Sequence, residues 1–505
     1  MQRYKMFFSF ANKSSKYLES KYIFSTFAAK YKNMINIDEI LTQDNIADKI
    51  ASLKERSTPP HEWATLRKDY EPKLHNIVDD KQGRKDKNHS DGTKDKAARL
   101  TIGLERLLAK RMTEFTFAIP VKRNYIGDDT DEKKKIVKAL ERIYQVAHID
   151  SENKKRGLAY YAACEAMTIW YTKKGRHNLY GFPCNYKLKC KTFSPMSGVK
   201  LWPLIDEQDE MYAMSFEYTR KVKDVMITFF ETFTADQHFI WKKGEDTEWE
   251  VVTNGEEISI EKIPAIYIYR FSPVWEGLTV IREEIEYALS RHSDILAYNS
   301  APILKVAGSI VGEEQKGETR RIYRVTEGGD VSYVSWAQSN QALEFYINTL
   351  LNMFFMQAQM PDISFSNMRS LGNIGYDARK TLLTDAHLKI GDESGPWIEF
   401  LERENSIVKA FLKKLNVGFS GDDIDSVLIE NIITPFIQED EMQNIQKWKL
   451  AGGDTPLVSP LEAIENAGLS EDPQASYAQI MAAQAAQVAM TEAAKGQPME
   501  EQPKE

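Results

Sequence analysis

Cysteine is scarce. Cys164, Cys184 and Cys190 are the three in 505 residues, too few for a disulfide framework at this length and in keeping with a reducing compartment. Cys184 and Cys190 flank one short segment, but no second pair and no nearby histidine completes the four ligands a structural zinc needs, so no metal is expected. The eight histidines are singletons, none spaced to join another on one helix face. No run approaches the roughly 18 apolar residues that cross a bilayer. The apolar stretch around Phe7, Phe8 and Phe10 is too short and too interrupted for a secretory leader. Neither sign of charge dominates: 66 Lys and Arg against 74 Asp and Glu leave a net −8. That balance argues against a protein built to grip duplex DNA by neutralising phosphates, yet it leaves room for a conduit through which DNA slides.

Catalytic signatures are also missing. The nearest approach to a phosphate-binding loop is Gly312-Glu-Glu-Gln-Lys-Gly317-Glu318-Thr319. It has the glycine spacing, but Glu318 stands where a lysine would meet the phosphates and would repel them. No nucleophile-elbow sequence occurs. The acid pairs Asp422-Asp423 and Glu439-Asp440 fall in a loop or at a helix start, where solvation or capping explains them. No catalytic residue, cofactor site or metal site is therefore expected, and the chain is read as a non-enzyme.

What is present is a folded, modular chain. It is 42% hydrophobic, 11% aromatic and 28% charged, enough apolar surface to fold, and at about 150 residues per domain the length suggests three packing units. Residues 1–33 hold seven basic residues and one acid and read as a basic extension. Helical periodicity begins at Ile37 and predicts one or two amphipathic helices before Pro59. The charged stretch 79–99 has no aromatics for base stacking and reads as a solvated loop. Helices are expected over 97–110, 131–147 and 151–172. From 187 to 270 the period becomes two, with strands at 211–218, 225–233, 239–242, 249–252 and 263–269 separated by turns such as Asn254-Gly255.

A long helix over 280–298 follows. Ile281, Ile285, Ala288, His292 and Ile295 are expected on its apolar stripe, with Glu283, Glu284, Glu286 and Asp294 mainly off it. His292 reads as a packing or interface residue. Short strands at 303–306, 321–324 and 331–334 form a small insertion. A second long helix covers 341–359 and must stop before Pro361. Residues 362–375 are rich in Ser, Asn and Gly and read as a loop. A third helix restarts near Tyr376 and runs toward Leu412, with a break expected at 391–396. Short helices at 440–450 and 460–467 and a terminal helix from about 476 complete an α+β chain.

This order of elements, together with Lys262-Ile-Pro-Ala-Ile-Tyr-Ile-Tyr269, Leu278, Glu284-Ile285-Glu286-Tyr287, Ser293, Asn299 and Leu304-Lys-Val-Ala-Gly308, resembles the centre of the portal proteins of long-tailed phages. Gly329-Asp330-Val331-Ser332, Pro361-Asp362, Gly375-Tyr376, Leu457-Val-Ser459-Pro-Leu461 and Glu471-Asp472-Pro473 are similar to later family segments. The resemblance spans about residues 37–480 and departs at the basic extension and at 79–99.

It implies the portal fold: a wing of helices and antiparallel strands, a helical stem, a small α/β clip and a helical crown, assembled as a ring usually of twelve. After the extension at 1–34, the wing would take 35–276 and 376–404. The stem would be 277–297 and 341–359, the clip 298–340, and the tunnel loop 360–375. The crown would occupy 405–480, and 481–505 would be a flexible tail. Phe365, Asn367, Met368 and Arg369 would project into the bore, and Glu283, Glu284 and Glu286 would make an anionic wall. Implied partners are further copies of the chain, double-stranded DNA in transit without sequence readout, the terminase large subunit, a head-completion or adaptor protein, and the major capsid and scaffolding proteins, with no membrane. The expected location is the capsid portal vertex of the virion, and the host cytoplasm during assembly. Rival readings are another head–tail connector protein, generally much shorter, and a nucleic-acid-processing enzyme with an unrecognised site.

Overall fold

In a computed structural model of the chain, the residues described are 37–495 except 56–61, 80–82, 89, 91, 93, 127–129, 207, 209, 246, 300–302, 317–319, 327–329, 335–339, 363–380, 382, 417, 437–440, 454–455 and 471. The basic extension and most of the expected tunnel loop, including Phe365, Asn367, Met368 and Arg369, lie outside the described residues. The chain divides into two compact units. One comprises 1–362 with 385–436, the other 363–384 with 437–505. Residues 405–436, placed in the crown by the family resemblance, fall within the larger unit.

The larger unit is built around two antiparallel sheets. Short helices α1 (Ile37–Leu41) and α2 (Ile46–Leu53) come first, α2 being capped by the Asn45 side chain on the Ala47 amide. They are followed by α3 (Trp63–Tyr70), the two-residue strands β1 (Lys87–Asn88) and β2 (Lys94–Asp95), α4 (Leu104–Phe117) and β3 (Lys122–Ile126). The helix expected over 97–110 starts only at Leu104, because 97–103 forms no helical turn.

Helix α5 (Asp131–Ala147) matches the expectation, whereas α6 (Ile149–Ala163) is shorter than expected. Cys164 adopts a left-handed φ of 62°, and the following run enters β4 (Glu165–His177). The β-branched and aromatic content of Thr168, Ile169, Trp170, Tyr171 and Thr172 suits a strand once the helix has been stopped. Glu165 and Ile169 are thus strand residues. Gly157 on α6 permits close helix packing: a Cβ there would lie 2.8 Å from Phe117 Cδ2 on α4.

Next come β5 (Cys184–Phe193), β6 (Lys200–Ile205), β7 (Met211–Val222), β8 (Val225–Phe233), β9 (Gln237–Lys243), β10 (Glu250–Glu257) and β11 (Ala265–Tyr269). Strands β6 to β10 form a five-stranded meander, while β11, β4 and β5 form a second sheet in that order. Alternation places Met214 and Phe216 of β7 against Met167, Ile169 and Tyr267 of the second sheet. Ala213 faces the other way, toward Ile50 and Leu53 of α2 with Phe230 and Trp241. Both faces of the meander are therefore buried.

A long helix, α7 (Thr279–Asn299), leads into β12 (Ile303–Ala307), β13 (Ile310–Lys316), β14 (Arg320–Val325) and β15 (Asp330–Val334), where β12 pairs with β15 and β13 with β14. The glycine pattern from Gly312 lies in part on β13, a strand the sequence reading missed, and not between a strand and a helix. Helix α8 (Asn340–Gln357) follows, then α9 (Thr384–Leu415), α10 (Gly421–Ser426) and β16 (Leu428–Ile432), which pairs with β3.

The break expected in α9 at 391–396 is absent, and Pro396 sits inside a continuous helix. A mid-helix proline costs about 3 kcal/mol. The next residue, Trp397, is fully buried against Phe117, Tyr160 and Phe400, and burial of this size offsets that cost.

The smaller unit contains α11 (Glu441–Ala451), α12 (Pro460–Ala467) and α13 (Pro473–Lys495). Ser459 and Glu462 form a reciprocal capping box at the start of α12. Gly452 leaves room for Ala463: a Cβ on it would lie 2.8 Å from the alanine Cβ.

Candidate functional site

The residues singled out on α7 sit where an extended chain segment is laced along the helix. Backbone amides at alternate positions of that segment donate to α7 side chains. Ala98 N donates to Asp294 at 2.8 Å, Leu100 N to Ser290 Oγ at 2.8 Å, and Ile102 N to Glu286 at 2.8 Å. The spacing follows from geometry: two extended residues advance about 6.6 Å and four helical residues about 6 Å. Arg84 extends the ladder, donating to Asp294 at 2.6 Å and to the Ala98 carbonyl at 3.0 Å. Arg99 donates to Asp86 and to the Arg84 carbonyl. A hydrogen bond from the Ala97 amide is the largest of the influences that hold the Asp86 carboxyl below its usual range. The charged stretch expected to be a solvated loop is therefore in part a strap on α7.

At the root of α7 the ladder ends in a buried ionic cluster. Arg282 donates to Glu105 on α4 at 2.8 Å, to Glu286 at 3.0 Å and to Asp69 on α3 at 3.3 Å. His75 bonds Glu286 at 2.6 Å and the Asp69 carbonyl at 2.9 Å. The side chains of Arg282, Glu105 and Glu286 are at most 1% exposed. Burial pushes the Glu105 carboxyl above its ordinary range despite the pull of Arg282, and does the same to Asp69. The deepest positions of α7 thus include Arg282, Glu286 and Ser290 beside Ile285, positions that, Ile285 apart, lie off the expected stripe of Ile281, Ile285, Ala288, His292 and Ile295. Arg282 and Glu286 pair one turn apart on α7, and distant segments supply the further partners that make burying those groups tolerable.

Each residue expected to line a channel has a distinct fate. Glu286 is fully buried and ion-paired. Glu283 is partly exposed and accepts from Asn76 at 2.9 Å. Glu284 is exposed and accepts from Tyr346 of α8 at 3.0 Å. That bond is the main reason the Tyr346 hydroxyl is raised above its ordinary range. Glu283, Glu284, Val280 and Tyr287 border an open cleft of about 560 Å³ with Asn76 and Arg84. His292 is partly buried.

The far end of α8 is held from two sides. Met360 N donates to Phe355 O and Gln359 N to Met356 O, both at 3.1 Å. This is the pair of bonds that closes a helix through a left-handed residue, with Gln359 at φ 52° in the place glycine prefers. Lys389 of α9 donates to the Ala358 carbonyl at 2.6 Å, and Arg111 of α4 to the Pro361 carbonyl at 2.8 Å. Burial lowers the affinity of both cations for their protons. Their position complements the negative end of the helix. No local pattern in the sequence pointed to His75, Glu105, Arg111 or Lys389, because each finds its partner through the fold; Arg282 has Glu286 one turn on, but meets Glu105 and Asp69 only through the fold.

The cysteines do not offer reactive thiols. All three are buried and free; burial pushes the Cys164 thiol up to about 12 and that of Cys190 higher still.

The sequence profile described as "Phage portal protein, SPP1 Gp6-like" matches residues 61–490. The chain belongs to that portal-protein family. As a portal protein it has a structural, head–tail connector role. The portal chain is also similar to chains from three solved structures. A chain from the neck of an empty GTA particle computed with C6 symmetry is 10% identical at TM-score 0.36, covering 72% of this chain and 89% of that one. A chain from the virion of a native gene transfer agent particle is 11% identical at TM-score 0.35, covering 83% and 98%. A chain from the neck of the native GTA particle computed with C12 symmetry is 11% identical at TM-score 0.36, covering 83% and 96%. No curated protein matches the portal chain. Among its described residues, no helix is long and apolar enough to cross a membrane.

Proposed function

We propose that this portal protein assembles into a closed ring, of twelve copies on the family's pattern, at one vertex of the capsid, and that the genome enters and leaves through its bore. In this reading the wing is 35–276 with 376–404, extended by 405–436, which share the larger unit. Helices α7 and α8 lie in the stem segments 277–297 and 341–359. The clip is 298–340, residues 360–375 form the tunnel loop with Phe365, Asn367, Met368 and Arg369 toward the bore, and the crown begins after 436. Glu283 and Glu284 supply the anionic wall, repeated around the ring, and such a wall repels phosphate and keeps DNA mobile. DNA is passed without sequence readout. The terminase large subunit and later a head-completion protein dock on the clip, and the capsid and scaffolding proteins surround the wing. The protein itself catalyses nothing and carries no cofactor.

The observation that carries the ring is the apolar surface left on the two stem helices. Val280 and Leu296 of α7 and Phe345, Met353 and Met356 of α8 are exposed, with Val280, Phe345 and Met356 at 70% or more. A ring interface is heterologous, one face of each copy meeting a different face of the next, so both helices can be covered at once. Negative-stain imaging and native mass spectrometry of the purified chain test this. Rings with a central hole are expected, and Phe345→Glu should yield smaller species of unchanged circular dichroism. A wild-type chain that stays a single copy at micromolar concentration refutes the proposal.

A further inference from the structure

Deep in the larger unit, where β3, α6, α9 and β16 meet, two guanidiniums share one carboxylate. Arg156 donates to the two oxygens of Glu404 at 2.7 and 3.0 Å and to Asn153 Oδ1. Trp170 Nε1 donates to Glu404 as well, at 3.1 Å. Arg123 lies 3.7 Å from Glu404, beyond hydrogen-bond reach, with its guanidinium 4.0 Å from the centre of the Tyr144 ring. The side chains of Arg156 and Glu404 are 0% exposed and that of Arg123 7%. Two cations against one anion leave one positive charge in excess. The neighbouring acid Glu152 is already engaged by Lys155 at 2.6 Å and by the Thr192 amide at 2.9 Å.

The hydrogen bonds are as lopsided as the charges. Asn405 Oδ1 accepts from Tyr144, Asn431 Oδ1 accepts from Asn405 at 3.2 Å, and Asn153 Oδ1 accepts from Arg156. Among the described residues no acceptor reaches the buried Nε and Nη2 of Arg123, Nε of Arg156, or the amide nitrogens of Asn153 and Asn431. Strand pairing sets Asn431 directly opposite Arg123. Buried cations and donors left this way are strongly disfavoured unless an electron-rich partner meets them.

We propose that this cluster binds a small inorganic anion, a halide with chloride as the physiological occupant, held chiefly by Arg123 and Asn431 beside the Arg156–Glu404 pair. A single negative charge cancels the excess, and a sphere accepts from several donors at once. The surrounding walls are rings, Tyr144 packed edge-on to Trp170 and Phe400 under Arg156. They offer no further donors for the several oxygens of a larger oxyanion. The ion ties together elements that lie far apart in sequence, from β3 at residue 123 to β16 at residue 431, and stiffens the packing of α9 against them.

The test is thermal unfolding of the full chain at fixed pH and ionic strength in sodium chloride and in sodium gluconate. The midpoint in chloride should be higher by about 2 °C or more and should rise with chloride concentration toward saturation. Asn431→Asp places a resident carboxylate beside Arg123 and should fold while losing that response. Crystals of the wild-type protein grown in bromide should show an anomalous peak in contact with Arg123, which decides the matter even if the variant fails to fold. Equal midpoints in the two salts, or ordered water without bromide at this position, overturn the proposal.

Discussion

Replacing Arg282 with methionine removes a guanidinium that faces four carboxylates, those of Glu105, Glu286, Asp69 and, at 4.0 Å, Glu283, while keeping most of the side-chain volume. The geometry sets the size of the effect. Arg282, Glu105 and Glu286 have side-chain exposures of 1%, 0% and 1% and lie 2.8 to 3.0 Å apart, so the deletion strands the buried Glu105 and leaves Glu286 with only His75 and the Ile102 amide. Breaking a buried pair from one side costs about 3–5 kcal/mol. Asp69, one-third exposed, adds little to that. The pH dependence follows from Glu105, whose carboxyl already sits above its ordinary range because burial outweighs the pull of Arg282. Without Arg282 it must rise further. A carboxyl that holds its proton more tightly when folded stabilises the fold at low pH, and that contribution is lost as pH climbs from the unfolded value through the folded one. The deficit of Arg282→Met relative to wild type should therefore be largest near neutral pH and shrink as pH falls toward about 5. Urea unfolding followed by tryptophan fluorescence at several pH values measures it, and Glu105→Gln added to the variant should recover part of the loss. A deficit below about 1 kcal/mol at neutral pH, or one that grows on acidification, would refute the reasoning.

Three further outcomes are expected. Gln359→Gly relieves a left-handed residue at the end of α8 and should raise stability by about 1 kcal/mol, read as a shift in the denaturant midpoint. Gly157→Ala forces a Cβ to within 2.8 Å of Phe117 and 3.2 Å of Thr113, and should cost about 1–3 kcal/mol in the same assay. Glu284→Lys changes an exposed side chain and should leave assembly intact. If Glu284 lines the bore, the variant ring retains DNA at low salt and releases it as salt rises, whereas retention equal to wild type places Glu284 elsewhere.

Much of the architecture was legible because it rests on local rules. Helix α5 has a strong apolar period with a threonine cap, α12 has a capping box behind Ser459, and β8 alternates between turns; all three ends lie where the sequence put them. The failures have a common cause. Helical spacing continues in the letters through residue 172, although Cys164 turns left-handed and the run becomes a strand whose first half is buried. Pro396 was read as a break, but packing of Trp397 overrides it. On α7 the periodicity of Ile281, Ile285, Ala288, His292 and Ile295 marked an apolar stripe, while the deepest positions include Arg282, Glu286 and Ser290.

By itself the sequence determined the class of fold, most of the long helices and the meander strands and, through their order, the resemblance to the portal family, because propensity, periodicity and turn chemistry act over a few residues at a time. Which charges are buried was decided only by tertiary structure. A carboxylate such as Glu286 looks in the sequence like any solvated acid on a helix, and it becomes an internal ion only when residues 75, 102 and 282 converge on it. One of those partners, Arg282, is a helical turn away, but residues 75 and 102 come from distant chain, and no local pattern records them.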